Sequence, residues 1–337
     1  MQYRLGTPYN DFLYTNVRGV APEEVHEGEG GYFAKPEPGL DPRLFDGDKI
    51  KAHVRHWVLA QLYVFWGERY ADPFSWSTEW IAGSAVSLQW DALGADLDVL
   101  IGVNKTRFVV ANPQYQDMTE ADIDAMLTDE LKADLWPLTA QFQPEPGADP
   151  MEVTYFVNAG SDDIRDIEPY AAYNLTIDSW TVKPVNPGPE WDPRAYFPQE
   201  WVNTVDTDVR DAHRLIDHYN ENVGALDSAA DVPSQINALH NIKGTAERAA
   251  DLFATMHAGR KTSFEPGGGG YFGYGNFRWQ MHAHSGTLKA LHDIAVVNRD
   301  ARVYQQQELY GEPLKGPNDS LRSAGQASWY ERKMSNG

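Results

Sequence analysis

The chain has 337 residues, with 28 basic against 49 acidic side chains and a net charge of −21, a balance that argues against broad non-specific binding to nucleic acid. It contains no cysteine, which excludes disulfides, thiolate nucleophiles and thiolate metal sites. No apolar run approaches the roughly 18 residues of a membrane span, and the first residues lack the layout of a signal peptide, so we expect a cytoplasmic protein.

The charge is unevenly distributed along the chain. Residues 1–250 carry 18 Lys and Arg against 41 Asp and Glu, whereas residues 251–337 carry 10 against 8. We therefore expect the C-terminal quarter to build most of any surface that binds a polyphosphate or a nucleic acid.

Composition and periodicity divide the chain into five predicted segments. The first is an extended N-terminal arm over residues 1–48, rich in Gly, Pro, Glu and Tyr and without periodicity, which packs through Tyr3, Tyr9, Phe12 and Tyr14. A catalytic domain over 49–183 is followed by a linker over 184–200, which holds five prolines. A helical domain over 201–310 and a tail over 311–337 complete the chain. Apolar spacing predicts helices at about 49–70, 119–135, 203–222, 233–258 and 276–298.

Within the catalytic segment, a glycine turn precedes two closely spaced aspartates. Gly83 and Ser84 close an apolar run, and Asp96 and Asp98 lead into the strand-like run 99–101. Strand side chains alternate, so the two aspartates project from one face, where their repulsion is costly unless a cation lies between them. Mg²⁺ prefers such oxygen ligands, and a glycine bend before a helix lets backbone N–H groups approach a phosphate. The alternative is a surface loop with two solvated aspartates.

This pattern resembles the DNA polymerase beta-like nucleotidyltransferase superfamily, whose motif is an apolar residue, Gly-Gly or Gly-Ser, a spacer, and Asp-x-Asp between apolar residues. Much of residues 50–185 also resembles nucleotidyltransferase-like proteins of actinobacterial bacteriophages, which would place the protein in the host cytoplasm. The matching segments are 82–84, 96–103, 152–157, 163–167 and 169–173. The resemblance implies an α+β fold: a polymerase beta-like palm, which is a short mixed sheet with flanking helices, followed by a helical domain.

The resemblance also implies a third carboxylate on a later strand. We assign it to Glu152, at the start of a β-branched and aromatic run, with Asp178 as the alternative. Together with Asp96 and Asp98, Glu152 would hold two Mg²⁺ (or Mn²⁺) ions.

The implied enzyme transfers a nucleoside monophosphate from an NTP to a hydroxyl acceptor and releases pyrophosphate. Gly83 and Ser84 would hold the terminal phosphates. Three classes of acceptor fit this reaction: an RNA 3′ end, a small molecule and a protein. The alternative is a non-catalytic nucleotide-binding or interaction module on the same fold. A phage structural protein has no support beyond the aromatic-rich arm.

The C-terminal quarter contributes a glycine-rich loop and a cationic stripe. The loop 265–275 is interpreted either as a lid, in which Tyr271, Phe272 or Tyr274 stacks on a base, or as a flexible connector. Beyond it, one helix face carries Arg278, His282, Ser285 and Lys289. We predict that Arg278, His282 and Lys289 contact the triphosphate; the alternative for Arg278 and Lys289 is pairing with aspartates.

Overall fold

The computed structural model describes residues 7–22, 33, 35–88, 90, 96–158, 161–186, 188 and 190–311. The chain forms two compact units. The helical unit comprises Met1–Ala21, Ala212–Phe253 and Ala290–Gly337, and the sheet unit comprises Pro22–Asp211 and Ala254–Lys289. The boundaries of the predicted functional segments stay predictions. Tyr3 and, apart from Gly311, the predicted tail lie outside the described residues.

The sheet unit is built on a mixed sheet of five strands. The strands of the chain are β1 (Phe45–Asp46), β2 (Lys49–Ile50), β3 (Ser77–Ala82), β4 (Leu97–Val103), β5 (Val153–Val157), β6 (Ala172–Asn174) and β7 (Ser179–Val182). The five-stranded sheet has the order β5-β4-β3-β6-β7, and β1 and β2 form a separate ribbon. β4 pairs in parallel with β5 and antiparallel with β3, and β6 is antiparallel to both β3 and β7. The predicted α+β class with a small mixed sheet is confirmed.

Alternation along β4 separates the two faces of this sheet. Leu97, Val99 and Ile101 are completely buried in the main hydrophobic core, whereas Asp98 and Leu100 point to the other face and are only half-buried. We call the latter the Asp98 face. Apolar burial on the opposite face sets the register of β4, because a slip of one residue would bury Asp98 in the core.

Helices contribute to both units. The α-helices are α1 (Pro8–Asn16), α2 (Ala52–Gly67), α3 (Pro73–Trp76), α4 (Lys105–Ala111), α5 (Glu120–Glu130), α6 (Trp136–Thr139), α7 (Gln199–Ser228), α8 (Val232–Ser263), α9 (Tyr274–His284) and α10 (Thr287–Tyr310). The main core takes in apolar side chains of α2 and α5, such as Val58 and Leu127. A π-helical turn, Leu131–Leu135, continues α5. Within the described residues, no helix is long and apolar enough to span a membrane.

The helix predictions are confirmed in position for α2, α5, α7 and α8, and wrong in two details. The predicted extended arm contains α1, because the Thr7 side chain accepts a hydrogen bond from the Asn10 N–H and Pro8 occupies the first turn. The predicted single helix at 276–298 is two helices, α9 and α10. Gly286 adopts a positive φ of 75° between them, which interrupts the helical path.

The glycine-rich loop packs too closely against other backbone for side chains to fit. A Cβ on Gly270 would lie 1.6 Å from the carbonyl oxygen of Ile167, and one on Gly268 would lie 2.1 Å from that of Thr262. Asn276, which is buried, donates from Nδ2 to the carbonyl of Tyr271 at 2.9 Å. These contacts pack the loop against backbone of the same unit, and the lid interpretation stays a prediction.

Replacing Gly270 by Ala should therefore destabilise the protein strongly. The added methyl group meets backbone and must also adopt a positive φ of 55°, so we expect a loss of about 3 kcal/mol in the free energy of unfolding. The matched control is Gly267→Ala, where φ is 80° but the space is open, with an expected loss of about 1 kcal/mol. Urea unfolding of both variants measures the difference, and equal losses would contradict the packing argument.

Candidate functional site

The turn after β3 has the backbone shape that the sequence predicted. β3 ends at Ala82, and Gly83 adopts φ 91° and ψ −159°, a conformation that favours glycine. The Ser84–Val86 segment that follows is a single 3₁₀ turn and not a full helix. Gly83 is buried and Ser84 is half-buried.

Strand pairing places Asp98 directly beside this turn. Asp98 is opposite Ala82 in the antiparallel register of β3 and β4. A Cβ on Gly83 would lie 3.7 Å from Asp98 Oδ2, and on the other side the Thr154 hydroxyl donates to Asp98 Oδ1 at 2.6 Å. The glycine turn and this aspartate, the two parts of the predicted motif, therefore adjoin in the structure.

The environment of Asp98 disfavours its charged form. Burial raises the pKa of Asp98; the hydrogen bond from Thr154 and the positive charge of Arg260 lower it in part, and the negative charge of Glu152 raises it further. Such a carboxylate gains from a nearby cation, because a cation offsets the loss of hydration.

Asp96 and Glu152 occupy the adjacent positions on the same face. β4 and β5 pair in parallel with Asp98 alongside Thr154, and the Leu97 N–H donates to the Glu152 carbonyl at 2.8 Å. Two residues back along each strand, Asp96 and Glu152 therefore project on the Asp98 face. Both are exposed.

The carboxylates of Asp96, Asp98 and Glu152 are not arranged as a group that could hold a metal ion. The Glu152 carboxylate accepts a hydrogen bond from the indole N–H of Trp136. Among the residues that the structure describes, no group of three or more His, Asp or Glu side chains is arranged to hold a metal ion together. Hard carboxylate oxygens suit Mg²⁺, and the negative charge of Glu152 acts on Asp98.

Asp178, the alternative third carboxylate, lies at the other end of the sheet. β6 pairs with β3 so that Asn174 is opposite Trp80, which puts the turn after β6 near the start of β3. There Asp178 accepts a hydrogen bond from Tyr173 at 2.7 Å and lies 3.9 Å from Lys49 and from Arg55. The structure thus associates Glu152, and not Asp178, with Asp98.

Two residues of the predicted cationic stripe, Arg278 and His282, form hydrogen bonds to other residues of the chain. Arg278 donates to Asp208 Oδ2 at 2.5 Å, and the completely buried His282 lies between Asp208 Oδ2 (3.1 Å) and the Thr287 hydroxyl (2.8 Å). Burial by itself would raise the pKa of Asp208, but the hydrogen bonds and charges of His282 and Arg278 lower it to about 2. The break at Gly286 leaves Lys289 in a different helix from these two residues. For Arg278 the aspartate alternative is correct, and the continuous stripe does not form.

Tyr271 presents its hydroxyl group to the site rather than its ring. A Cβ on Gly83 would lie 3.4 Å from Tyr271 Oη. The ring is packed edge-on between Tyr170 and Phe264, at centroid distances of 5.0 and 5.1 Å. Sequence reasoning identified this residue as a base-stacking side chain and missed the contact of its hydroxyl with the turn, which depends on the folding of the glycine loop.

Arg260, near the end of α8, was also missed. Its charge acts on Asp98, and its guanidinium lies 4.9 Å from the centroid of the Trp279 ring. Only the reduced acidity of residues 251–337 pointed towards it in the sequence.

Comparison with protein-family models, with curated proteins and with solved structures finds no match. The geometry of the chain itself is therefore the basis for the proposals below.

Asp98→Asn should stabilise the metal-free protein at neutral pH. The raised pKa means that the folded state binds protons more tightly than the unfolded state, so Asp98 costs stability increasingly as pH rises above its unfolded pKa. We expect a higher midpoint of thermal unfolding for the variant at pH 7 and a smaller difference near pH 3. An unchanged or lowered midpoint at pH 7 would contradict the burial argument.

Asp208→Asn should have the opposite effect. The lowered pKa stabilises the fold above the unfolded pKa of about 3.8, and this contribution is lost as pH falls through about 2. We expect a loss of about 2 kcal/mol at pH 7, measured by urea unfolding. The control is Asp206→Asn, which removes an exposed pair with Arg194 and should cost less than about 1 kcal/mol.

Proposed function

We propose that this chain is a metal-dependent nucleotidyltransferase that moves a nucleoside monophosphate from an NTP to a hydroxyl acceptor. The observation that carries the proposal is the contact of two elements that phosphoryl transfer needs. The Gly83 turn, whose φ of 91° favours glycine, lies beside the half-buried Asp98, and the charge of Glu152 acts on that aspartate. Backbone N–H groups at such a turn would bind phosphate, and the neighbouring carboxylates would bind a cation.

The residues of the turn would hold the nucleotide. The backbone around Gly83 and the Ser84 side chain bind the terminal phosphates, and the Tyr271 hydroxyl donates a hydrogen bond to a phosphate oxygen. The packed ring of Tyr271 keeps this donor in place without loss of side-chain freedom on binding.

The carboxylates would hold Mg²⁺ or Mn²⁺ through Asp96, Asp98 and Glu152. Bound there, divalent ions supply charge neutralisation for the triphosphate and a lower pKa for the acceptor hydroxyl. Thr154 keeps the Asp98 carboxylate in one orientation through its hydrogen bond. The acceptor hydroxyl gives its proton to Glu152, and the hydroxyl oxygen attacks the α-phosphate. Pyrophosphate leaves as this new bond forms.

A nucleotide-binding or interaction module on the same fold is the second candidate. One observation favours it: Glu152 is engaged by Trp136, and the three acids form no metal-holding group among the described residues. A module that only binds nucleotide would keep the turn and Tyr271 but would not need Glu152 to turn towards Asp98.

Label transfer separates the two candidates. The protein is incubated with each of four α-³²P-labelled NTPs in Mg²⁺ and then Mn²⁺, with cellular RNA, a lysate and a small-molecule fraction as acceptors. We expect label in one pool with the wild type and at least about a 100-fold loss with Asp98→Asn.

The matched control is Asp178→Asn, which makes the same chemical change at the other end of the sheet and should keep full transfer. Absence of label in every pool, with nucleotide binding retained in calorimetry, would reject the enzyme and support the binding module. Absence of binding as well would reject both candidates.

A further inference from the structure

The helical unit holds a cavity of about 350 Å³ between its helices α1, α8 and α10. This volume falls within the range of small-molecule sites, which begins at roughly 300 Å³. Every lining residue carries a charged or hydrogen-bonding group, although helices usually pack against each other through apolar side chains. The lining residues are Tyr9, Lys243, Glu247, Arg302, Gln305 and Gln306.

One wall of the cavity is fixed by a buried hydrogen bond. Asn298, Arg302 and Gln305 follow each other at spacings of four and three residues, so they share one face of α10. Asn298 is buried and accepts a hydrogen bond from the Tyr9 hydroxyl at 2.7 Å. This bond ties α1 to α10 and holds Tyr9 in the wall of the cavity. Burial also raises the pKa of Tyr9 to about 12, so its phenol is neutral at pH 7.

Lys243 brings a positive charge to the cavity. The residue is half-buried, and its Nζ lies 5.0 Å from the centroid of the Tyr9 ring. In the described part of the chain, no carboxylate forms an ion pair with Lys243, although the sequence carries 49 acidic residues. Such a cation gains from an anionic ligand, because the ligand offsets the loss of hydration on burial.

A second cation of the cavity, Arg302, has donors to spare. Its Nη2 lies 3.2 Å from Glu247, and the two side chains are 56% and 38% exposed. Exposed pairs contribute little to stability, and a guanidinium has five N–H donors, so Arg302 can bind a ligand as well as Glu247. Two positive charges against one negative charge make the cavity cationic, in a chain whose net charge is −21.

Two carboxamide groups complete the lining. Gln305 and Gln306 are half-buried, and each carboxamide offers two N–H donors and one acceptor oxygen. Within the described residues, the Gln305 side chain has no hydrogen-bond partner. Hydroxyl groups suit this lining, because a hydroxyl accepts from an N–H and donates to a carboxamide or carboxylate oxygen.

We propose that the cavity binds a small anionic polyol, which is a hydroxylated molecule that carries one phosphate or carboxylate group. Lys243 and Arg302 bind the anionic group, and Glu247 and Gln305 bind hydroxyl groups. A nucleotide fits less well, because the Tyr9 ring is 1% exposed and offers no open face for a base. The inference is independent of nucleotide transfer, since the cavity belongs to the helical unit and the carboxylates of the candidate site belong to the sheet unit.

Calorimetry of the full-length protein without divalent ions tests the ligand class. The probes are glucose 6-phosphate and gluconate, with glucose as the neutral control and inorganic phosphate as the simple anion. We expect a Kd below about 1 mM for at least one anionic polyol, and binding of glucose and of inorganic phosphate that is at least about tenfold weaker. The polyol that binds more tightly identifies the anionic group. The proposal is overturned if neither polyol binds, or if inorganic phosphate binds as tightly as they do.

Lys243→Gln tests the position of the site. It should weaken binding of the anionic polyol about tenfold, because a charge-assisted hydrogen bond is lost. The matched control is Arg248→Gln, which removes a positive charge from an exposed position of the same helix that does not line the cavity. The control should bind like the wild type. Equal losses in the two variants would show non-specific attraction to positive charge and would overturn the proposal.

Gln305→Leu tests the hydroxyl contacts separately. This variant should bind the polyol about fivefold more weakly, because a neutral hydrogen bond is lost, and should bind inorganic phosphate like the wild type. An unchanged affinity for the polyol overturns the assignment of a polyol. Thermal unfolding of each ligand-free variant shows whether it is folded. If Lys243→Gln does not fold, the comparison of Gln305→Leu with Arg248→Gln decides.

Discussion

The pairing of β4 between β3 and β5 is the constraint on which the candidate site depends. The antiparallel register with β3 brings Asp98 opposite Ala82 and beside the Gly83 turn, and the parallel register with β5 brings it alongside Thr154. Burial of Leu97, Val99 and Ile101 sets both registers at once. A shift of one residue would exchange the core face and the Asp98 face, and would remove every contact described for the site.

A second constraint is the close packing of backbone in the glycine-rich loop. The absence of Cβ atoms at Gly268 and Gly270 lets the loop lie against Thr262 and Ile167. In this position the loop places the Tyr271 hydroxyl against the turn after β3. Tyr170 and Phe264 pack against the Tyr271 ring and restrict its rotation. Glycines that suggest flexibility in a sequence thus provide rigidity here, because the space they leave is filled by other backbone.

Charge in this protein is balanced locally in some places and left unbalanced in others. Asp208 is neutralised by Arg278 and His282, so this cluster is satisfied internally. The hydrogen bond from Thr154 and the charge of Arg260 offset the burial of Asp98 in part. The contrast separates a network that is satisfied internally from a carboxylate whose burial is only partly offset.

The sequence by itself determined the local features of the chain. The run after Asp98, Val99 to Ile101, is apolar at every position, which is sufficient to predict a buried strand. The alternation of strand side chains then puts Asp98 on the face opposite Leu97 and Val99. The helical periods of α2, α5, α7 and α8 and the glycine turn at residue 83 were readable for the same reason, since each depends on neighbours in sequence. The resemblance to the polymerase beta-like superfamily implied the α+β class.

Only the tertiary structure decided which distant residues meet. Arg278 and His282 have the spacing of a ligand-binding stripe, but Asp208 lies against them, and no sequence period encodes such a contact. The choice of Glu152 over Asp178 followed from strand order. The contacts of Tyr271 and Arg260 with the site depend on packing between segments far apart in the chain. Periodicity describes which face a residue occupies, but the partner that covers that face is set by long-range packing.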